Sequence, residues 1–438
     1  PSSAASDVYK RQIMNIDGEP TSGLELKDAT SKIRGKAGTE VILTIKKPNT
    51  GEVQDYSIIR DVITIKDIPF YGMVNENVGY LRITNFSVNT ANETKDALIS
   101  LMQNGASNVI IDLRDNPGGL LSSSLDLLDL ILPKNLELVS TKGRAGKSIK
   151  NYKTLNNALI PDTINMAVLI NGASASASEI VAGVLQDYDR AIVLGSQSFG
   201  KGLVQTVIGI NQETALKITN SKYYIPSGRS LQKREFIDDE LIANSSAVAD
   251  TLFQTKAGRT VIGGGGIGPD VIVKDEGSYP LAASILRSRG YFKFVQENNN
   301  QYSSIDEVLA DEELMVKFKT FIEKNDISGY VDGQEDLKLA KEKLSKKEEK
   351  NLFINNAFSV IEKQIEKTQS TMFEDEKEII QRMVHGEFAF YYNGYEGRYN
   401  IYLKDDTVVQ KAIEIFADES QYLSLSLIHI WRCRRRSL

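Results

Sequence analysis

The sequence predicts an α/β core with a small mixed segment before it and a helical region after it. Three observations predict this fold class. Apolar strands alternate with amphipathic helices between Val78 and about Lys274. Before the core, a short stretch combines one helix with alternating strand patterns, and after Tyr279 the sequence becomes charged and helical.

The segment predicted at 13–66 is a small α+β domain. A strand begins at Ile13, Asp17-Gly18 forms a tight turn, and residues 24–33 favour a short helix. Residues 38–46 alternate between apolar and polar types, which is typical of a strand with one buried face.

The core is predicted to span 67–278 as an alternation of strands and helices. The expected strands are 79–84, 108–113, 166–170, 191–194 and 214–224, and the expected helices are 91–103, 120–132 and 179–186.

The region predicted at 279–426 is a helical domain without a catalytic constellation. Ser304 and Glu307 match a capping box, and residues 374–383 and 407–416 show helical periodicity. The Lys- and Glu-rich run at 334–350 is typical of a solvated helix face.

The two ends differ in composition from the rest of the chain. Residues 427–438 contain the only Trp, the only Cys (Cys433), one of the two His and four Arg, and residues 1–12 lack an initiator Met. We expect both ends to be non-native, although a basic tail that binds a membrane or nucleic acid is the alternative for the second. Without Cys433 the chain has no thiol for a disulfide, a cysteine nucleophile or a Cys/His metal cluster.

Composition excludes some functions. The formal charge of -6 argues against nucleic-acid binding, which draws on clustered Lys and Arg. No run approaches the roughly 18 apolar residues of a membrane helix.

A serine-rich turn precedes the predicted helix at 179–186. It reads Asn-Gly-Ala-Ser-Ala-Ser-Ala-Ser-Glu from Asn171 to Glu179. Ser176 lies three residues before Glu179, so its structural role is a helix N-cap. The same position exposes a hydroxyl beside the first helical amides, which suits a nucleophile.

A serine nucleophile needs a base, and the sequence favours lysine. Neither His385 nor His429 has the small-residue surroundings of a reacting centre, whereas Lys201 lies between two glycines. We expect crowding there to bury the amine and lower its pKa. Gln205 would orient the amine if this segment were helical. Phosphate binding is the rival interpretation, but the spacing does not match a phosphate-binding loop.

The turn at 114–119, Arg-Asp-Asn-Pro-Gly-Gly, follows a predicted strand, where α/β sheets place ligand sites. Its glycine amides are candidates for one half of an oxyanion hole, with the amide of Ala177 as the other half. A plain structural turn is the alternative.

Taken together, these elements resemble the carboxyl-terminal processing peptidases, also called tail-specific proteases. The motifs that carry the resemblance lie at 79–83, 112–119, 171–183, 195–205 and 223–229. The resemblance is strong over 13–274 and looser beyond.

The resemblance implies a role for each candidate residue. Ser176 matches the nucleophile, Lys201 the general base and Gln205 the residue that orients the lysine. The amides of Gly119 and Ala177 match the oxyanion positions, with Gly118 adjacent. The implied core is a crotonase-like or Clp-type fold, without a metal or organic cofactor, in the bacterial cell envelope or periplasm.

The segment predicted at 13–66 resembles, in residues 16–45, the second half of a PDZ domain, which binds peptide C-termini by strand addition. The first half of that pattern is absent, so an accessory domain without peptide binding is the alternative.

The expected function is a serine endopeptidase that cleaves proteins near their C-termini through an acyl-enzyme on Ser176. Its partners would be protein or peptide substrates bound by their C-termini, with no nucleic acid, and a homo-oligomer is compatible with the sequence. Two alternatives stay open: a catalytically silent PDZ-type peptide-binding or scaffold protein, and a crotonase-like enzyme acting on acyl thioesters.

Overall fold

The computed structural model describes residues 12–46, 51–63, 66–143, 148–211, 214–233, 236–237, 240–241, 251–273, 277, 279–345 and 352–426. Of the two ends predicted to be non-native, 1–12 and 427–438, residues 1–11 and 427–438 lie outside this part. The chain forms two units. We call Pro1–Thr64 with Gly277–Tyr402 the accessory unit, and Ile65–Glu276 with Leu403–Leu438 the core unit.

The strands in the described residues are β1 (Gln12–Ile16), β2 (Glu19–Pro20), β3 (Glu40–Lys46), β4 (Val53–Ile59), β5 (Phe70–Met73), β6 (Val78–Arg82), β7 (Asn108–Asp112), β8 (Glu137–Gly143), β9 (Ser148–Lys153), β10 (Asn165–Ile170), β11 (Ile192–Gly195), β12 (Leu203–Gly209), β13 (Ala215–Tyr224), β14 (Phe236–Ile237), β15 (Glu240–Leu241), β16 (Leu252–Gln254), β17 (Thr260–Ile262) and β18 (Val271–Ile272).

The helices are α1 (Leu26–Ile33), α2 (Thr90–Gln103), α3 (Leu121–Ile131), α4 (Ala177–Asp187), α5 (Pro280–Arg287), α6 (Gly290–Asn298), α7 (Ile305–Ala310), α8 (Leu314–Lys324), α9 (Gln334–Ser345), α10 (Leu352–Asp375), α11 (Lys377–Tyr402), α12 (Thr407–Ala417) and α13 (Glu419–Ser426). Among the described residues, no helix is both long enough and apolar enough to cross a membrane.

The core unit is built on a six-stranded sheet in the order β18-β11-β10-β7-β6-β5. All neighbouring strands are parallel except the antiparallel pair β5 and β6. β7 and β10 are buried along nearly their whole length, because apolar residues occupy both faces of these central strands. The α/β core predicted from sequence is therefore confirmed, and the strands and helices that were predicted with limits begin and end within about two residues of those limits.

Helices cover both faces of this sheet. The helices α2 to α4 enclose one apolar cluster with alternate residues of the central strands, such as Val109, Ile111 and Val168. The intervening residues Ile110 and Leu169 are equally buried, and α12 contacts β7, β10 and β11. Because successive side chains of a strand point to opposite faces, α12 covers the second face.

The helices α12 and α13 lie in the core unit, which includes Leu403 and the described residues after it. The helical domain predicted at 279–426 therefore contributes residues to both units. The reason is that the amphipathic face of α12 completes the burial of the central sheet.

A second sheet of the core unit, β12-β13-β8-β9, is antiparallel. The sequence predicted only β13 of its strands with defined limits. The first six residues of β13, Ala215 to Asn220, are exposed. The paired strands β12 and β13, which we call the ribbon, are held together in this part by main-chain pairing more than by burial.

In the accessory unit, β1 to β4 form an antiparallel sheet in the order β2-β1-β3-β4, with Asp17 and Gly18 at positive φ in the predicted turn. The helices α5 to α8, α10 and α11 enclose a separate apolar cluster around Phe294, Phe318 and Phe388.

Two helix predictions in the accessory unit need correction. The helix predicted at 374–383 is interrupted at Glu376, because its buried carboxylate accepts the Leu281 and Ala282 amides at the start of α5. Ser304 caps α7 as expected, but the Glu307 carboxylate binds Ser303 instead of closing the box.

Candidate active site

Ser176 occupies a strained position at the start of α4. Its φ of 57° and ψ of -111° lie in a region that residues other than glycine rarely adopt. The surrounding turn overdetermines this conformation, since the preceding residue Ala175 donates its amide to the carbonyl of Asn116. A strained serine between a strand and a helix is a common arrangement for a nucleophile.

The neighbouring serines have structural roles. Ser174 and Ser178 are fully buried, and their hydroxyls donate to the carbonyls of Leu113 and Asn116 at 2.8 and 3.0 Å. Ser176, by contrast, is only half-buried. Of the three serines in the motif, it is the one that a substrate can reach.

Glu179 is a buried hub between the serine turn and the lysine loop. Its Oε2 atom accepts the amides of both Ser176 and Lys201, each at 2.8 Å. Its Oε1 atom accepts the Gly200 amide at 2.7 Å and the Ser198 hydroxyl at 2.6 Å. Burial raises the pKa of Glu179, and these four donors oppose that rise.

The sequence predicted only one of these contacts, the capping interaction with Ser176. The other three come from a loop more than 15 residues further along the chain, and no local pattern indicates them. The result is that one carboxylate fixes the main chain of Ser176 and Lys201 side by side.

The turn at 114–119 lies directly against Ser176. Gly118 has a φ of +96°, and a Cβ atom there would lie 2.6 Å from the Ala175 carbonyl oxygen and 2.8 Å from the Ser176 Cβ. Gly119 is equally constrained, since its Cβ would lie 2.1 Å from the Phe86 carbonyl oxygen. Only glycine allows this close approach.

The amides around Ser176 differ in their hydrogen bonding. Gly118 donates its amide to Asn116 Oδ1 at 2.9 Å, which makes it the weakest of the three oxyanion candidates. Within the described part of the chain, the amides of Gly119 and Ala177 have no acceptor. These two remain predictions for the oxyanion hole.

Lys201 and Gln205 lie on the exposed side of the site. Both line an open cavity of about 330 Å³, together with Gln197, Gln232 and Lys233. The expected burial of Lys201 is wrong, because its side chain is exposed to solvent at the mouth of this cavity. No hydrogen bond among the described residues joins the Ser176 hydroxyl, the Lys201 ammonium and the Gln205 amide.

The helical condition for Gln205 is not met either. Gln205 lies in β12, where it pairs with Thr219, and its side chain is exposed. In an extended chain, residues four apart are separated by about 13 Å. The main chain therefore does not bring Gln205 next to Lys201. Gln205 can orient the Lys201 amine only if the two side chains extend toward each other across the cavity.

Asp112 ends β7 beneath the turn and is completely buried. It accepts Arg82 at 2.9 Å, Arg114 at 2.6 Å and the Tyr80 hydroxyl at 2.7 Å. Burial alone would raise the pKa of Asp112, but Arg114 and Arg82 outweigh it and hold the pKa well below its usual range. The first residue of the turn at 114–119 is therefore held in a buried ion-pair network.

A metal site is not apparent in the described ranges, where no three His, Cys, Asp or Glu side chains converge in a way that suits a metal ion.

Comparisons with known proteins show which family this part of the chain resembles. Residues 77–242 match the model of peptidase family S41, a family of serine-type peptidases. Residues 281–416 match the model for the C-terminal helical domain of a PDZ-protease. Over residues 77–242 the chain is thus similar to peptidase family S41, and this range contains every candidate site residue.

Individual relatives agree with this family. A carboxy-terminal-processing protease of Bartonella bacilliformis is 40% identical over 236 residues, which are 53% of this chain and 54% of the relative. A carboxyl-terminal-processing protease of Picosynechococcus is 36% identical over 246 residues, or 55% of this chain and 58% of the relative. The chain therefore matches little more than half the length of these relatives.

Among solved structures, the photosystem II D1 C-terminal processing protease is 23% identical, with a TM-score of 0.38 over 61% of this chain and 64% of its own. The similarity to peptidase family S41 rests on the sequence matches.

Proposed function

We propose that this chain is a serine endopeptidase that cleaves protein substrates near their C-termini, with Ser176 as nucleophile and Lys201 as general base. The observation that carries the proposal is the Glu179 carboxylate, which holds the main chain of Ser176 and Lys201 on one oxygen atom. An ordinary capping residue has no need to bind a lysine loop from another part of the chain.

The proposed reaction proceeds through an acyl-enzyme. The neutral amine of Lys201 takes the Ser176 proton as the oxygen attacks the peptide carbonyl, and the amides of Gly119 and Ala177 stabilise the oxyanion. The ammonium then returns the proton to the leaving amine. Water, deprotonated by the same lysine, hydrolyses the ester and regenerates the serine.

This mechanism requires the Lys201 side chain to leave the exposed position that it occupies here. A lysine side chain has four rotatable bonds, and catalytic hydrogen bonds are often formed only in the substrate complex. We therefore propose that this structure represents a resting arrangement in which Gln205 orients the amine only after substrate has entered.

The test is covalent labelling of Ser176 by a fluorophosphonate, combined with cleavage of an unfolded protein substrate. We expect Ser176→Ala to lose both labelling and cleavage while unfolding at the parental temperature. Parental cleavage by Ser176→Ala would overturn the assignment. Lack of labelling and cleavage in the parent would favour a silent peptide-binding protein, which the unjoined Ser176 and Lys201 side chains also allow.

Recognition of C-termini is the finer part of the proposal, and its support is the resemblance of the segment 13–66 to part of a PDZ domain. Matched peptides with a free or an amidated C-terminus test it. We expect the free carboxylate to lower KM, and equal KM values would remove the C-terminal preference without affecting the peptidase assignment.

We also propose a location in the bacterial cell envelope, periplasmic or exported, on the basis of the resemblance to the carboxyl-terminal processing peptidases. Fractionation of cells that express the natural gene would test it, with recovery in the cytoplasm as the contradicting result.

A further inference from the structure

The segment after Leu403 reaches the candidate site through one ion pair. Arg114, the first residue of the turn at 114–119, binds Asp406 with both guanidinium ends, at 3.1 Å from Nη1 to Oδ1 and 2.7 Å from Nη2 to Oδ2. Both side chains are more than four-fifths buried. A paired, bidentate contact of this kind restricts both partners far more than a surface ion pair.

Asp406 also forms the N-cap of α12. Its Oδ1 atom accepts the amides of Val408 and Val409, each at 3.0 Å. One carboxylate thus starts the helix that covers the second face of the sheet and fixes the first side chain of the turn.

The same segment is anchored a second time on the sheet. The hydroxyl of the buried Tyr422 accepts the amide of Met166 at 2.9 Å and approaches the Met166 carbonyl at 3.3 Å. Because Met166 lies in the central strand β10, α12 and α13 have a fixed position on the core unit, and Asp406 has a fixed position opposite Arg114.

From Arg114 the network continues to both loops of the site. Arg114 and Arg82 share the buried Asp112, and Arg82 also binds Asp115 at 3.1 Å. Asp115 has a φ of 58° and exchanges two hydrogen bonds with Asn171, the first residue of the serine turn. Ion pairs therefore connect the cap of α12 to the turn that carries Gly119, and hydrogen bonds between Asp115 and Asn171 extend the network to the turn that carries Ser176.

We propose that Asp406 is a positioning residue for the site, acting through Arg114 to set the oxyanion turn. Without its carboxylate, Arg114 stays bound to Asp112 through Nε and Nη2, but its Nη1 atom loses Asp406 as acceptor. The turn at 115–119 can then shift against Ser176. A displacement of about 1 Å in such a site reduces the rate by up to about 100-fold. This inference rests on the proposed function for its catalytic consequence, but not for the displacement itself.

The test is Asp406→Asn in the full chain, because asparagine caps a helix as well as aspartate does and removes only the charge. We expect kcat for an unfolded protein substrate to fall roughly 10- to 100-fold with little change in KM. Asp406→Glu, which keeps the charge, should recover part of kcat. Asp418→Asn is the matched control, since Asp418 caps the next helix through Ser420 and Gln421 without an arginine.

Hydrogen exchange gives a readout that does not depend on activity. In Asp406→Asn, peptides covering residues 110–120 should exchange faster than in the parent, while residues 408–417 stay protected. If Asp406→Asn does not fold, Asp406→Ser offers the same cap without the charge.

Parental kcat with parental exchange at 110–120 would overturn the proposal. Faster exchange confined to 408–417 would also overturn it, by showing that Asp406 serves only its helix. If the parent has no peptidase activity, the proposed function fails and the exchange experiment alone decides whether Asp406 positions the turn.

Discussion

The two halves of the candidate site are built differently. The serine half, from Asn171 to Glu179 together with the turn at 114–119, is held by buried side chains and main-chain bonds. The lysine half, Lys201 to Gln205, leads into a ribbon whose outer residues are exposed. The serine half is set by the fold, whereas the lysine half depends on where a flexible side chain points.

This difference between the halves indicates which part of the site is rigid and which part can change conformation. The main chain is strained at Ser176 and closely packed at Gly118, so the surrounding structure restricts the serine half. The exposed lysine can move within the cavity at little cost. Glu179 is buried, and its carboxylate binds the main chain of both halves. It therefore lies between the fixed serine turn and the lysine side chain that can move.

The largest expected effect comes from the mobile half. Lys201→Met removes the proposed base but keeps a side chain of similar length, and we expect kcat/KM to fall by about 10⁴-fold. Steady-state cleavage of an unfolded protein measures it, with thermal unfolding to verify the fold. Since the side chain is exposed, the unfolding temperature should not change.

Lys233→Met is the matched control, because Lys233 lines the same cavity. A loss smaller than tenfold there would show that charge in the cavity is not the cause. If Lys201→Met keeps an activity within tenfold of the parent, the lysine half has no catalytic role. The contrast between a fixed and a mobile catalytic half would then be wrong.

The second effect belongs to the fixed half. Asp112→Asn breaks a fully buried ion pair with two arginines and should lower the free energy of unfolding at pH 7 by about 3–5 kcal/mol. The folded pKa of Asp112 lies below its unfolded value, so its contribution is complete above the unfolded pKa and is lost as the pH falls through the folded value.

Urea unfolding of parent and variant between pH 7 and pH 3 measures this contribution. The difference between the two proteins should shrink toward acid. A difference that stays constant would mean that packing, and not the ionised carboxylate, holds the turn.

The fixed half was also the half that the sequence predicted well. Strands at 108–113 and 166–170 are apolar runs with clear ends, and Ser176 stands at the capping position before α4, so local pattern sufficed. The lysine half failed because burial of Lys201 is a tertiary property. The two flanking glycines predicted close packing around the lysine. The close packing occurs at Gly200 and Gly202, whereas the Lys201 side chain is exposed to solvent.

Contacts between distant segments explain the other errors. Glu179 resembles an ordinary capping residue until the loop at 198–201 folds over it, and Asp406 resembles the start of one more helix in the C-terminal region. The Arg114–Asp406 pair spans 292 residues. Charge patterns along a single sequence give no indication of such a partner.

The third effect is expected at Glu179, whose carboxylate binds the main chain of both halves. Glu179→Gln keeps the shape but turns an NH2 group toward amides that previously met a carboxylate. Leaving these donors unpaired should cost about 1–3 kcal/mol of stability. It should also lower kcat, because the lysine loop is no longer held beside Ser176.

The pH dependence of Glu179→Gln should have the opposite sign to that of Asp112→Asn. Burial raises the folded pKa of Glu179 above its unfolded value, so the parent gains stability relative to the variant as the pH falls. Unfolding and kinetics measured on the same samples test both effects. Normal kcat in a destabilised variant would reduce Glu179 to a structural role.

The smallest effect is expected at the outer ribbon. Ile218→Val in β13 changes a side chain that is 41% exposed and should alter stability by less than about 0.5 kcal/mol. Ile111→Val, at a fully buried position of β7, removes the same methylene and should cost about 0.5–1.5 kcal/mol. If Ile218→Val costs as much as Ile111→Val in urea unfolding, the ribbon is covered in solution, and the lysine half is less free than its exposure in a single chain indicates.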